Sequence, residues 1–438
     1  MFRYIKQELI EWKNSKDRKP LIIRGARQVG KTYILKEFGN EQYENVAYFN
    51  FDHDENLKEL FKMTKDPKRI LEQLTFATGS VINKKSTLII FDEIQECPDA
   101  LNSLKYFNEE ANDYHIVCAG SLLGIKLSHT SFPVGKVNYL DMYPMTFSEF
   151  LLADGSQNLV TYMSTYSSLE KIPDILFNQL SEKLKAYFII GGMPEVVKKW
   201  LETKDITEVD RVQDEILKGY ENDFRKHVES TSLQEKISLI WESMVSQLSK
   251  ENKKFIYQAA REGARAREYE DAVNWLSDAD IVEKIFNLSK PAFPLNAYVD
   301  LSSFKLYMLD IGLLRKKAGL ASKIVIEGNK LFEEFKGALT ENYILNTLIY
   351  VYNQKPNYYT FDRNEIDFII QSENEIIPIE VKSGETINNI SLTKFNQENN
   401  NKLSIRFSTR NIDKSGKILN IPLFMAEYID RYIKKEID

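Results

Sequence analysis

Cysteine and histidine are scarce in this chain. Its 438 residues hold two cysteines, Cys97 and Cys118, and four histidines, His53, His115, His129 and His227. None has the spacing of a metal-ligand set, which argues against a structural zinc site. Two thiols also argue against a disulfide scaffold and for a reducing compartment. The N-terminal stretch MFRYIKQELIEWKNSKDRKP is charged throughout and lacks the apolar core of a signal peptide. No window approaches the roughly 18 consecutive apolar residues of a membrane span, so the expected location is the cytoplasm, with no membrane partner. Nor is there a basic excess. Lys and Arg number 58 against 64 Asp and Glu, a net charge of −6, so nucleic acid binding, if present, needs a local basic surface. Repeats of 20–50 residues and low-complexity tracts are missing as well.

What is present is an ordinary globular composition, 43% hydrophobic and 12% aromatic, which excludes disorder as the main state. At roughly 150 residues per domain the length suggests about three domains. Residues 1–150 alternate apolar runs (Leu21–Arg24, Val46–Phe51, Leu88–Phe91, His115–Ala119, Val137–Met142) with helical patterns. Strands separated by helices predict an α/β domain with a parallel sheet covered on both faces. Residues 151–230 read as helical. Residues 231–320 give two short helices, a third helix and a hairpin, the pattern of a winged helix. In 321–438 a helix (Lys330–Ile349) precedes strands Tyr358–Asp362, Ile366–Gln371, Ile376–Val381 and Ser404–Ser408, and a helix near Ile421–Ile429 closes a second α/β unit.

The segment Gly25-Ala26-Arg27-Gln28-Val29-Gly30-Lys31-Thr32 fits G-x-x-x-x-G-K-[ST], directly after an apolar run and before a helix pattern that begins with Tyr33. Glycines at both ends let backbone N–H groups wrap phosphates, and the helix N-terminus adds partial positive charge. Lys31 is expected to reach the β- and γ-phosphates, and the Thr32 hydroxyl to ligate Mg²⁺. Four apolar residues, Leu88-Ile-Ile-Phe91, then lead to Asp92 and Glu93. Asp92 would hold the Mg²⁺ shell and Glu93 would polarise the attacking water. The strand candidate Val46–Phe51 lies in sequence between the loop and this acid pair, a layout of the additional-strand hydrolytic class. Ser121, at the end of the run His115–Ala119-Gly120, reads either as a sensor of the γ-phosphate or as a turn residue.

The motifs GARQVGKT, LIIFDEIQ, CAGSLLG and YPMTFSEFL, in this order, resemble a large bacterial and archaeal family of AAA+ ATPases that carry a C-terminal domain of unknown function. Gly191-Gly192-Met193-Pro194, Arg265–Tyr269 and the C-terminal pattern extend the resemblance over nearly the whole chain. It implies ATP as cofactor and an AAA+ core (1–150) with a helical lid (151–230), followed by a winged-helix module (231–320) and a nuclease-like domain (321–438). In such ATPases a G-x-P turn can lie near the nucleotide; in its own right GGMP is a helix-to-helix turn. Many members place Gly-Arg before the fifth strand, whereas this chain has Gly135-Lys136. Lysine lacks the arginine fork, so the transition-state finger, and with it the mode of assembly, is unassigned.

In the C-terminal segment, Glu341, Asp367, Glu380 and Lys382 resemble a PD-(D/E)XK nuclease core, in which carboxylates bind Mg²⁺ and the lysine activates water or steadies phosphate charge. Strand alternation puts Glu380 and Lys382 on one face. Three readings stay open: a nuclease-like fold that does not cut, an active nuclease, and surface charge worth little. For DNA, Lys253, Lys254, Arg261, Arg265 and Arg267 cluster in the winged-helix candidate, but Glu268, Glu270 and Asp271 follow, so a packing or protein-contact role stands beside phosphate binding. The functional expectation is a Mg²⁺-dependent ATPase whose nucleotide state regulates the C-terminal module. An ATP-regulated DNA nuclease and a slow nucleotide-gated switch with a protein partner are the alternatives.

Overall fold

The computed structural model describes residues 1–79, 81–121, 133–228, 230–250, 253–263, 265–322, 325, 333–372, 374–384 and 389–437. Of the sequence motifs, Leu122–Gly124 of CAGSLLG, His129 and the expected helix start at Lys330 lie outside these residues. The chain forms two compact units, Met1–Tyr143 with Asp278–Ile281, and Pro144–Ser277 with Val282–Asp438.

The first unit is built on five parallel strands: β1 (Leu21–Arg24), β2 (Asn45–Asn50), β3 (Thr87–Asp92), β4 (His115–Ala119) and β5 (Asn138–Asp141), in the order β2-β3-β4-β1-β5. Each matches an apolar run within a few residues. β3 and β4 are buried along their whole length, as parallel strands covered on both faces must be. The helices are α1 (Ile5–Asn14), α2 (Lys31–Gln42), α3 (Glu55–Met63), α4 (Pro67–Thr78) and α5 (Pro98–Glu110). Local sequence fixes their ends: Asp54 accepts from Leu57 N to start α3, and Asp66 with Pro67 starts α4, which stops at left-handed Gly79. Phe51, Phe61 and Phe91 pack as edge-to-face rings with centroids 5.5–5.6 Å apart.

The strand that parts β1 from β3 in the sheet is β4, which pairs with both. The strand inserted between them in sequence, β2, instead takes the edge beside β3. Sequence order therefore misidentifies the additional strand; only the pairing register shows which segment separates the loop strand from the acidic one.

The second unit opens with helices Phe147–Ala153, Gln157–Thr165, Asp174–Ile190, Pro194–Thr203 and Ile206–Lys226, continues with Thr231–Leu248 and Ala266–Asp278, and carries an eight-stranded mixed sheet. Its strands are β6 (Val282–Leu288), β7 (Val299–Met308), β8 (Asn357–Phe361), β9 (Asn364–Ser372), β10 (Glu375–Lys382), β11 (Ser404–Ser408), β12 (Asp413–Ser415) and β13 (Ile418–Pro422), ordered β12-β13-β11-β10-β9-β8-β6-β7. The hairpin expected as a free wing is β6–β7. Instead, β6 pairs in parallel with β8, and residues Ser303–Met308 of β7 are buried. This hairpin completes a sheet started by later strands. The closing helix is also displaced. Ile418–Pro422 is strand β13, a 3₁₀ segment follows at Leu423–Tyr428, and the α-helix is Ile429–Ile437. The strand's burial is continuous, so its residues lack the alternation that separates strand from helix in sequence.

Helix Glu333–Tyr352 precedes the antiparallel run β8-β9-β10, then helix Ile390–Glu398 leads to β11, parallel to β10. Every strand expected after residue 350 is present within two residues of its expected ends.

Candidate nucleotide site and the C-terminal acid cluster

The loop between β1 and α2 needs backbone geometry that side chains resist. Gly25 has φ of +138° and a Cβ there would lie 2.2 Å from Met142 O; Gly30, at +98°, precedes Lys31 at the start of α2. Gln28 is also left-handed at +66°. Ala26 and Val29 point into the unit, Gln28 is exposed and Arg27 is half-buried. Tyr33 is 58% exposed and donates to Glu37 of its own helix, so its part in a phosphate site is limited to its backbone N–H.

Lys31 is buried, and its Nζ donates to Gly25 O and Ala26 O, each at 2.7 Å. An ammonium has three N–H groups, so one is left for a phosphate oxygen. Burial pulls its pKa down to about 8 against the opposing fields of Glu93, Asp280 and Asp92. A buried cation over a loop of backbone amides is poised for an anion that would restore its charge.

The acids stand beside this loop. Thr32 Oγ1 donates to Asp92 Oδ2 at 2.9 Å. Tyr48 OH donates to the same oxygen at 2.7 Å, and Glu93 N to Asp92 Oδ1 at 3.1 Å. Glu93 leaves the strand in a left-handed conformation (φ +52°), which turns its carboxylate away from the line of β3. Its Oε2 accepts from Ser121 Oγ at 3.3 Å and from Gln95 Nε2. The structure therefore brings together Lys31, Thr32, Asp92, Glu93 and Ser121. The donor set fits a hydrated Mg²⁺ bound with nucleotide: one hydroxyl and one carboxylate already share a hydrogen bond, and phosphates and water would complete the shell.

Sequence reading passed over three residues here. Arg3, buried ahead of α1, donates to Val29 O at 3.0 Å and Tyr143 O at 2.6 Å, bracing the loop from its inner side; no motif signals it. Tyr48 could have been found, since strand alternation puts it on one face of β2 with Asn50, which is paired opposite Asp92. Gln95, in the 3₁₀ turn Ile94–Glu96, is visible only once the turn is folded.

Two other expected features turn inward. Lys136 lies 2.9 Å from Glu109 of α5, so its charge is engaged within the first unit. The Gly191-Gly192-Met193-Pro194 segment joins helices Asp174–Ile190 and Pro194–Thr203. There Gly192 N donates to Asp310 Oδ2 at 2.6 Å and Gly192 O accepts from Met145 N at 2.6 Å. A Cβ on Gly191 would fall 2.3 Å from Asp310 Oδ1, and one on Gly192 2.1 Å from Met145 O. Close backbone crossing explains both glycines.

Among the C-terminal acids Glu341 and Glu380 are buried and Asp367 is half-buried, and lysines meet them. Glu341 accepts from Tyr307 OH and Lys253 Nζ, with Lys305 Nζ 3.6 Å away. Burial pushes this carboxyl up, and the two lysines outweigh it, holding it at about 2. Lys305 also lies 2.5 Å from Glu365. Asp367 Oδ2 accepts from Val381 N at 2.7 Å; burial and Glu341 push its pKa up to about 7. Glu380 Oε1 is 2.6 Å from Lys382, and its Oε2 is buried without a hydrogen-bond partner among the described residues. Among the described residues, no three His, Cys, Asp or Glu side chains are grouped to hold a metal ion. Glu341, Asp367 and Glu380, the expected metal set, share a neighbourhood with internal cations that sequence spacing does not reveal. Of the expected basic cluster, Lys253 pairs with Glu341, while Arg265 and Arg267 are exposed beside Glu268 and Glu270.

A parallel sheet with this loop at the exit of β1 and an acid pair at the end of β3 defines a P-loop NTPase domain. Residues 17–151 match the model of the AAA domain family, so this segment is an AAA-type ATPase domain. Residues 181–323 match the domain of unknown function DUF8612, and residues 336–424 the domain of unknown function DUF4143. No curated protein matches the chain. Among solved structures, the chain is similar to the Walker-type ATPase paby2304 of Pyrococcus abyssi, at 14% identity over 72% of this chain and 95% of that chain, with a TM-score of 0.45. It is also similar to the Thermotoga maritima RuvB Holliday junction branch migration motor (13% identity, 64% and 88% covered, TM-score 0.31). A third is the Aeropyrum pernix Orc1 protein in complex with DNA (12% identity, 77% and 90% covered, TM-score 0.28). No helix among the described residues is long and apolar enough to cross a membrane.

Proposed function

We propose that the chain is a Mg²⁺-dependent ATPase whose nucleotide state regulates its C-terminal, nuclease-like module. The observation that carries this reading is the convergence of the Thr32–Asp92 hydrogen bond with Glu93 and Ser121 beside the Lys31 loop. Residues Gly25 to Tyr33 would supply backbone N–H groups and the Lys31 ammonium to the phosphates. Thr32 and Asp92 would hold Mg²⁺, which supplies positive charge against the β- and γ-phosphate oxygens when bound. Glu93, held by Ser121 and Gln95, would accept a proton from water once Gln95 lets go; Ser121, a hydroxyl at the end of β4, would report the γ-phosphate to that carboxylate. This is positioning and electrostatics, without a covalent intermediate.

Phosphate release from ATP, measured on the full chain with Lys31→Ala and Glu93→Gln, tests the assignment. Both variants should lose turnover by two orders of magnitude or more, with nucleotide still bound by Glu93→Gln. Unchanged turnover in either variant would sink it.

The slow-switch reading is favoured by one observation, the Lys136–Glu109 pair, which engages a cation standing where related chains place arginine. A switch of this kind retains ADP and turns over on the order of minutes, regardless of DNA, and its partner is a protein. A ring motor on DNA should be stimulated by DNA. For the nuclease reading, the helix Glu333–Tyr352, strands β8 to β11 and helix Ile390–Glu398 have the order of a PD-(D/E)XK core. Plasmid cleavage with Mg²⁺ or Mn²⁺, lost in Asp367→Ala, is its test.

A further inference from the structure

We propose that Lys305, with Lys253, takes the place of a divalent cation in the C-terminal acid cluster, so that this nuclease-like module binds no metal there and cuts no nucleic acid. The inference rests on the nuclease-like reading of the fold and decides between its cutting and non-cutting forms.

Burying several carboxylates together requires compensating positive charge, from a metal or from the protein itself. Here the protein supplies it. Lys305 stands on β7, its side chain fully inaccessible, 2.5 Å from Glu365 and 3.6 Å from Glu341. Lys253 and the Tyr307 hydroxyl take up the two oxygens of Glu341, and Lys382 sits on Glu380. Three acids thus pair with three lysines, beside Asp367 in the field of Lys253 and Lys305. Lys305 and Tyr307 share one face of β7, the strand that joins this sheet from outside the αβ segment following residue 333. The β6–β7 hairpin thereby delivers the cation to the acids. Lysine and a divalent ion compete for this space, since the ammonium draws on the same carboxylate oxygens that would ligate the metal. Glu380 Oε2, buried without a hydrogen-bond partner among the described residues, is an oxygen that a metal would satisfy and the lysines do not.

Mn²⁺ binding, read by the electron paramagnetic resonance signal of the free ion, tests this on the full chain without nucleotide. The Asp92→Asn substitution is included to remove the first unit's acid. The expected result is no bound ion at millimolar Mn²⁺, rising to roughly one per chain in Lys305→Ala, with a melting temperature that Mn²⁺ raises only in that variant. Lys305→Gln, closer in volume, replaces it if the alanine variant does not fold. Mn²⁺ binding by the Lys305-containing chain that Asp367→Asn abolishes overturns the proposal, as does a Lys305 variant that folds yet gains no ion. Because no ATP is present, the outcome is independent of whether the first unit hydrolyses it.

Discussion

Thr32 and Asp92, sixty positions apart in sequence, meet through a single hydrogen bond of 2.9 Å from Oγ1 to Oδ2. That bond ties the first turn of α2 to the last residue of β3, across the intervening strand β4. The proposed function has these two side chains hold one ion, so removing both should cost little more than removing one. Thr32→Val and Asp92→Asn are each expected to reduce ATP turnover by about two orders of magnitude. The double variant should stay within a few-fold of the worse single one; multiplicative losses would show that the two residues act separately.

Gly25 carries the loop's steric demand. With φ at +138° and Met142 O only 2.2 Å from the would-be Cβ, Gly25→Ala must move β5 or the loop. The expected cost is about 1–3 kcal/mol of stability, together with loss of fluorescent-nucleotide binding. Normal nucleotide affinity in this variant would show that the loop is not the cradle.

Arg3 spans Val29 O and Tyr143 O. Arg3→Met leaves both carbonyls without that donor, at about 1–3 kcal/mol. Nucleotide affinity should fall while the melting of the second unit is unchanged, a comparison that hydrogen exchange resolves unit by unit.

Lys31 is half-charged near pH 8 because burial disfavours its ammonium. A triphosphate reverses that preference, so binding at pH 8 should take up roughly half a proton, and less at pH 7. Calorimetry in buffers of different ionisation enthalpy measures the uptake. Equal heats in all buffers, corrected for the nucleotide's own protonation, would contradict the buried-lysine account.

Asp310 is buried under the Gly191-Gly192 crossing, and burial raises its pKa from 3.8 to about 6 against three backbone N–H donors that favour the charged form. An acid raised in the folded state stabilises most fully below its unfolded value, and that advantage is lost as pH rises through the folded one. Relative to Asp310→Asn, the native chain should therefore lose melting temperature between about pH 4 and pH 6 and then run parallel to the variant. A constant difference over that interval would show that folding leaves the Asp310 pKa unshifted.

Much of the first unit was legible because its signals are local. Gly25 and Gly30 mark a turn no other residue makes, Asp54 and Asp66 cap their own helices, and the apolar runs β1 to β5 cannot be exposed without cost. The sheet's order was not legible, since β2 and β4 are equally apolar and only pairing decides which one parts β1 from β3. In the second unit the pattern shows β8 to β11 within two residues of their ends, but not β12 or β13, and it places the closing helix too early, because Ile418–Pro422 is buried throughout and shows no alternation.

Residue identity alone determined that a phosphate loop and an acid pair exist, because their chemistry is written into neighbours a few positions apart. Tertiary structure decided what surrounds them: Arg3 behind the loop, Tyr48 on Asp92, and Gln95 and Ser121 on Glu93. It also decided the fate of Glu341, whose cations come from residues 88 and 36 positions upstream, Lys253 and Lys305. The physical reason is that burial makes charge neutrality compulsory but leaves open which part of the chain provides it.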